Sequence, residues 1–172
     1  MTGIKPGDPS KPGTVCGPVI SGRQRDRVQS YLDLAIEEGG RFACGGGRPA
    51  GRDAGFFIEP TVIAGLDNTA RVAREEIFGP VLTVIAHDGD DDAVRIGNDS
   101  PYGLSGTVFS GDPQRARAAA ERLRVGTVNV NGGVWYSADA PFGGYKQSGV
   151  GREMGLAGFE EYLELKLIAT AV

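Results

Sequence analysis

A chain of 172 residues, 40% hydrophobic and 23% charged, is long enough for one domain with a sizeable core, and its composition argues against disorder or a coiled-coil rod. The net charge of −4, with no basic block longer than the mixed stretch Arg23-Gln24-Arg25-Asp26-Arg27, speaks against a nucleic-acid or anionic-membrane surface. Two cysteines, Cys16 and Cys44, with His87 as the single histidine, are too few for a disulfide scaffold or a Cys/His zinc site, so no structural metal is expected.

Glycine is the compositional outlier, and with no collagen-like period the 28 glycines are expected at turns and close backbone approaches. Residues 1–20 carry Pro6, Pro9, Pro12 and Pro18 among glycines, which predicts an extended arm without a helix of its own. The start Met-Thr-Gly-Ile-Lys-Pro-Gly has no apolar core of a signal peptide, and no apolar run approaches a membrane span, so a cytoplasmic protein without a membrane partner is the expectation. Ser21 followed by Gln24 forms a capping-box pattern, and Val28, Tyr31, Leu32, Ala35 and Ile36 recur at helical spacing until Gly39-Gly40. A glycine-rich turn follows, then the run Phe56–Ile63, whose aromatic and β-branched residues predict extended chain broken at Pro60.

Strand and helix then alternate: a helical turn at Thr69–Glu75, a strand at Val81–Ala86, a helix at Asp91–Ile96, a strand at Leu104–Phe109, a helix at Pro113–Arg124 and a strand at Thr127–Val130. Asp112 is placed to cap, and Pro113 to open, the last of these helices. Such steps are long enough for crossovers, so the three strands are expected to be parallel and covered by helices, an α/β fold. Beyond the glycine-rich stretch 143–155, Arg152–Tyr162 reads as a helix interrupted by Gly155 and Gly158, and the alternation from Leu163 to Leu167 predicts a terminal strand.

As phosphate cradles the glycine clusters fall short. Ser148–Gly155 spaces its glycines wrongly for the dinucleotide fingerprint, and no Gly-Lys-Ser/Thr occurs, which favours a bend at a site rim. Cys16 and Cys44 lie in an arm and a turn, where neither a helix N-terminus nor positive charge stabilises a thiolate, so no nucleophile is assigned. His87 precedes Asp88-Gly89-Asp90-Asp91-Asp92, which reads as a solvated turn opening a helix and lacks the ligand spacing of an EF-hand loop. Glu75 and Glu76, before Ile77-Phe78-Gly79-Pro80, put a carboxylate near a strand edge beside an aromatic ring; it could accept from a ribose diol or be a solvated surface acid.

Several blocks taken together resemble one family. Gly17-Pro18-Val19-Ile20-Ser21, Phe57-Ile58-Glu59-Pro60-Thr61-Val62, Glu75-Glu76-Ile77-Phe78-Gly79-Pro80-Val81, Asn98–Leu104, Gly126–Asn131, Ala140-Pro141-Phe142-Gly143-Gly144-Tyr145-Lys146-Gln147-Ser148-Gly149 and Gly151-Arg152-Glu153 are similar, in order, to the C-terminal part of NAD(P)-dependent aldehyde dehydrogenases. The resemblance implies a partial catalytic domain over 21–162, preceded by the arm 1–20 and followed by an oligomerisation strand and tail at 163–172. It implies oxidation of an aldehyde to a carboxylic acid through a cysteine thioester, with NAD or NADP as hydride acceptor.

The family's nucleophile lies in a Gly-Gln-x-Cys context ahead of the Gly-Asp-Pro matched by Gly7-Asp8-Pro9. That context, the general base and the dinucleotide loop are not matched by these residues, so the chain alone is expected to be inactive and to bind neither cofactor tightly. Residue by residue, Glu76 resembles the acid that bonds the nicotinamide ribose, Phe78 the aromatic that positions the nicotinamide, and Leu104 a further cofactor contact. Tyr136 and Phe142 resemble the aromatic wall of the aldehyde funnel, and Trp135 falls in the same variable loop. No catalytic residue is assigned. Leu163–Thr170 resembles the strand that joins a neighbouring subunit, which implies a homo-oligomer. A free-standing noncatalytic module docking on a full-length relative is the alternative.

Overall fold

The structure is a computed structural model that describes residues 1–133 and 136–171. It divides into two compact units, Met1–Ala86 and His87–Val172. Trp135, named above, lies outside the described residues.

The first unit is built on helix α1 (Gly22–Glu37). Ser21 caps it by accepting the Gln24 amide at 3.1 Å. Its other end closes in a Schellman arrangement, with Gly39 N–H donating to Ile36 O and Gly40 N–H to Ala35 O. Gly39 takes the left-handed φ of +90° that this turn requires. Strands β1 (Arg41–Cys44), β2 (Thr61–Ala64) and β3 (Val81–Val84) form one sheet in that order, and helix α2 (Arg71–Arg74) lies in the connection between β2 and β3. Antiparallel pairing joins β1 to β2, and parallel pairing joins β2 to β3 with Thr61 opposite Val81. Val28, Tyr31, Leu32 and Ala35 on one stripe of α1 pack with Ile58, Ile63, Val72 and Ile77 to make the core. The ladder begins only after Pro60, which has no N–H to donate. The arm at 1–20 has no helix, but it folds back on itself where Gly7 N–H donates to Cys16 O.

Helix α3 (Gly89–Asn98), strand β4 (Ser105–Val108), helix α4 (Pro113–Ala120) and strand β5 (Thr127–Val130) open the second unit, and β4 and β5 pair in parallel across the α4 crossover. Asp112 caps α4 by accepting the amides of Gln114 and Arg115, with Pro113 in its first turn. Ion pairs Arg115–Asp90 and Arg122–Asp91 run between the α4 region and α3. A 3₁₀ turn at Lys146–Ser148 and the short helix α5 (Gly155–Glu160) complete the regular structure.

Two expectations need revision. The predicted strands do not make a single parallel series: β3 joins β2, whose own partner β1 runs antiparallel, while β4 and β5 form a separate two-stranded sheet. Helix α5 begins at Gly155 rather than Arg152, because Phe142 and Glu153 exchange two backbone hydrogen bonds and Met154 then turns left-handed at φ +63°. Among the described residues, 163–171 find no ladder partner, so the terminal strand has no pairing to show here, and Leu165, Leu167 and Ile168 are exposed. Among the described residues, no helix is long and apolar enough to cross a membrane.

Candidate functional site

In the first unit the Glu75–Phe78 segment connects α2 to the turn entering β3. Glu76 is exposed, and Phe78 holds a left-handed backbone, φ +57°, with 70% of its surface open to solvent. That conformation is uncommon for a bulky residue and requires support from its surroundings. The support comes from α1. Gln24 Nε2 donates to Ile77 O at 3.1 Å and to Phe78 O at 2.8 Å, and Arg27 Nη2 donates to Glu76 O at 2.8 Å. Tyr31 Oη donates to Glu75 Oε2 at 2.7 Å. Gly79 completes the fit: a Cβ there would come within 2.6 Å of Val28 Cγ2, so only glycine lets the turn lie this close to α1.

The two adjacent acids thus have different surroundings. Glu75 is committed to Arg71, whose Nε donates to Oε1 at 2.9 Å and whose Nη2 donates to Oε2 at 3.1 Å, and to the Tyr31 hydroxyl. Those donors, Arg71 first, hold its carboxyl down at about 2. The bond it donates to the Glu75 carboxylate, with burial, pushes the Tyr31 hydroxyl up. Glu76 is anchored through its backbone carbonyl while its side chain is left at the surface.

In the second unit, the Asn98–Leu104 loop is braced by the Gly143–Ser148 stretch. Lys146 Nζ donates to Asn98 O at 2.8 Å and Ser100 O at 3.0 Å, Ser148 Oγ accepts the Gly103 amide, and the Tyr145 and Gln147 amides donate to Gly103 O and Pro101 O. Arg152 lies over the Tyr145 ring and donates to Gly144 O at 3.1 Å. Leu104 and Phe142 line one open cleft of about 460 Å³ together with Val150, Arg152 and Tyr162. Tyr136 meets Phe142 edge to face, with ring centroids 5.5 Å apart. Leu104, Tyr136 and Phe142 are therefore gathered in the second unit, whereas Glu76 and Phe78 belong to the first.

The remaining candidates are committed elsewhere. Cys16 and Cys44 are free thiols whose Sγ atoms approach the carbonyls of Gly17 and Pro60. His87 Nδ1 lies 3.0 Å from Gly89 O, Asp92 accepts from the Asp88 amide and Arg95, and Asp90 and Asp91 pair with Arg115 and Arg122. Among the described residues, no group of His, Cys, Asp and Glu is arranged to hold a metal ion. Sequence reasoning missed Gln24, Arg27 and Tyr31 as parts of the site. Their spacing of i, i+3 and i+7 along one side of a helix was the available signal.

Comparison with known proteins gives one answer throughout. The aldehyde dehydrogenase family profile matches residues 1–168. A 3-succinoylsemialdehyde-pyridine dehydrogenase from a Pseudomonas species is 48% identical over 163 residues, 94% of this chain and 34% of that protein. A Staphylococcus saprophyticus relative is 47% identical over 167 residues, 96% of this chain and 35% of its own length. Among solved structures, betaine aldehyde dehydrogenase of Staphylococcus aureus in complex with NAD+ superimposes with a TM-score of 0.88 at 47% identity, covering 94% of this chain and 32% of that one. The chain spans about a third of the length of the proteins it matches.

Proposed function

This chain belongs to the aldehyde dehydrogenase family, and on that premise we propose that it supplies the nicotinamide-side support and part of the aldehyde-binding wall for the oxidation of an aldehyde to a carboxylic acid. The observation that carries the reading is the Glu76–Phe78 surface: an exposed carboxylate and an exposed ring on a backbone whose left-handed turn is held from α1. The chemistry of this pair fits the nicotinamide end of NAD or NADP. A carboxylate accepts from both hydroxyls of a ribose, and an aromatic face packs against a flat heterocycle. Leu104 is assigned to the cofactor and Tyr136 with Phe142 to the substrate. Their apolar surfaces suit an aldehyde site that excludes water while the polar groups orient the reacting carbon. When bound, the nicotinamide supplies the hydride acceptor. The thiol nucleophile, the base that activates water and the pyrophosphate cradle are assigned to segments other than these residues, so the 172 residues alone are inactive and hold the cofactor weakly. A homo-oligomer joined through Leu163–Thr170 and a cytoplasmic location complete the proposal.

The test is made in an enzyme chain of the relatives' length that carries these residues. Glu76→Gln should slow hydride transfer in single turnovers by roughly 10- to 100-fold, the effect expected for weakening a hydrogen bond to a charged acceptor, with the melting temperature unchanged. An unchanged single-turnover rate refutes the role of Glu76. The 172-residue chain should show no aldehyde-dependent reduction of NAD or NADP, and a sustained turnover that Cys16→Ala abolishes would refute its inactivity.

A further inference from the structure

The contacts between α1 and the candidate cofactor segment form a register. Ascending the helix, Gln24 meets the carbonyls of Phe78 and Ile77, Arg27 that of Glu76, and Tyr31 the side chain of Glu75, so three residues on one helix side grip four consecutive residues in reverse order. Two of the three grips act on backbone carbonyls, which leaves the Glu76 carboxylate and the Phe78 ring unengaged by them. The primary amide of Gln24 has two N–H donors on one nitrogen, enough to satisfy both carbonyls at once. Because both partners are acceptors, only the NH₂ end of the amide can face them.

The grip also explains how Phe78 keeps its backbone. A non-glycine residue with φ near +57° relaxes toward the ordinary region unless neighbouring contacts fix the peptide planes on both sides. The Gln24 amide fixes the Ile77–Phe78 plane through Ile77 O and the Phe78–Gly79 plane through Phe78 O. Val28 against Gly79 closes the remaining direction.

We infer that Gln24, assisted by Arg27, is a positioning residue: it acts through the backbone of Ile77 and Phe78 to hold the Glu76 carboxylate and Phe78 ring in the orientation that serves the nicotinamide end of the cofactor. This rests on the assignment of Glu76 and Phe78 made above.

The test again uses an enzyme chain of the relatives' length. Gln24→Met keeps side-chain length and removes the donor, Gln24→Glu keeps the shape and turns an acceptor toward two acceptors, and Gln24→Lys restores a donor. Hydrogen exchange of a peptide spanning 75–80, measured without cofactor, should speed up by about tenfold or more in the Met and Glu variants and return toward wild type in the Lys variant, since each lost tenfold of protection corresponds to about one modest hydrogen bond. Single-turnover hydride transfer should slow in the same order. Should the Met variant fail to fold, the Lys and Glu pair carries the comparison.

Unchanged exchange at 75–80 overturns the inference whatever happens to the rate, because Gln24 would then not be holding the segment. Faster exchange with unchanged hydride transfer also overturns it, and if Glu76→Gln is slow in the same assay, the assignment of Glu76 survives. If Glu76→Gln and Phe78→Ala both leave hydride transfer unchanged, the assignment itself fails and the inference falls with it.

Discussion

The Glu75–Phe78 and Asn98–Leu104 segments are both irregular backbone presenting a candidate cofactor residue, and they are held by different means. The first leans on a helix: polar side chains of α1, some fifty positions earlier in the chain, reach its carbonyls. The second leans on another loop, through backbone bonds from Tyr145 and Gln147, the Lys146 ammonium, and glycines that let two backbones touch. A segment held by side chains should be sensitive to loss of a donor. One held by loop against loop should be sensitive to a single added methyl group.

The largest effect is expected where that second prediction is sharpest. A Cβ at Gly126 would lie 1.6 Å from the Gly143 carbonyl oxygen and 3.2 Å from that of Leu104, so the backbones of both loops would have to move. Gly126→Ala should destabilise the second unit by about 3 kcal/mol or more, whereas Gly111→Ala, with open space around its Cβ, should stay within about 0.5 kcal/mol. Chemical denaturation of the two variants checks this. Equal midpoints would break the contrast between the two modes of support.

How much of this was legible in the sequence depended on the distance over which each device acts. The Ser21 cap, the Asp112-Pro113 start and the Gly39-Gly40 stop are local, and each reads directly from neighbouring residues. Strand β1 is not legible in the sequence because Arg41–Cys44 is only four residues running straight into Gly45-Gly46-Gly47, and it is made a strand by its partner β2. Gln24 illustrates the same limit within the site. The capping-box pattern accounts for its backbone amide, which Ser21 accepts, but its side chain turns instead to carbonyls 53 and 54 positions away. The motif Glu75–Val81 pointed to Glu76 and Phe78, yet nothing in it names the helix that grips them.

A smaller effect tests the helix-braced segment. Tyr31→Phe removes the hydroxyl that donates to Glu75 and should lower the unfolding midpoint by less than Gly126→Ala does. The same change should alter the acid response. Glu75 titrates at about 2 in the folded chain against an ordinary 4.5, so its carboxylate contributes stability that is fully present above about pH 4.5 and is lost as pH falls through about 2. In Tyr31→Phe the folded value rises toward the ordinary one, Arg71 remaining as the main partner, and the window narrows. Acid unfolding followed for both proteins checks this. If their stability falls along parallel curves below pH 4.5, the hydroxyl is not part of what holds Glu75 ionised.

The smallest effect on the fold is expected at the tail, which marks the boundary of the comparison. Both loop segments find their hydrogen-bond partners inside the chain, but residues 163–171 have no ladder among the described residues, and Leu165 and Leu167 stand free in solvent. Leu163, Leu165 and Leu167 alternate with Glu164 and Lys166, so in an extended tail the three leucines share one face. Pairing with a strand of another chain would satisfy the backbone groups and bury that face in the same step. Removing the tail should therefore leave the unfolding midpoint nearly unchanged while abolishing association. Light scattering at micromolar concentration, with the intact chain beside one ending at Tyr162, separates the two effects. A dimer or larger species is expected only for the intact chain. A monodisperse monomer there would mean that the tail, unlike the two braced segments, has no partner to find in a second copy.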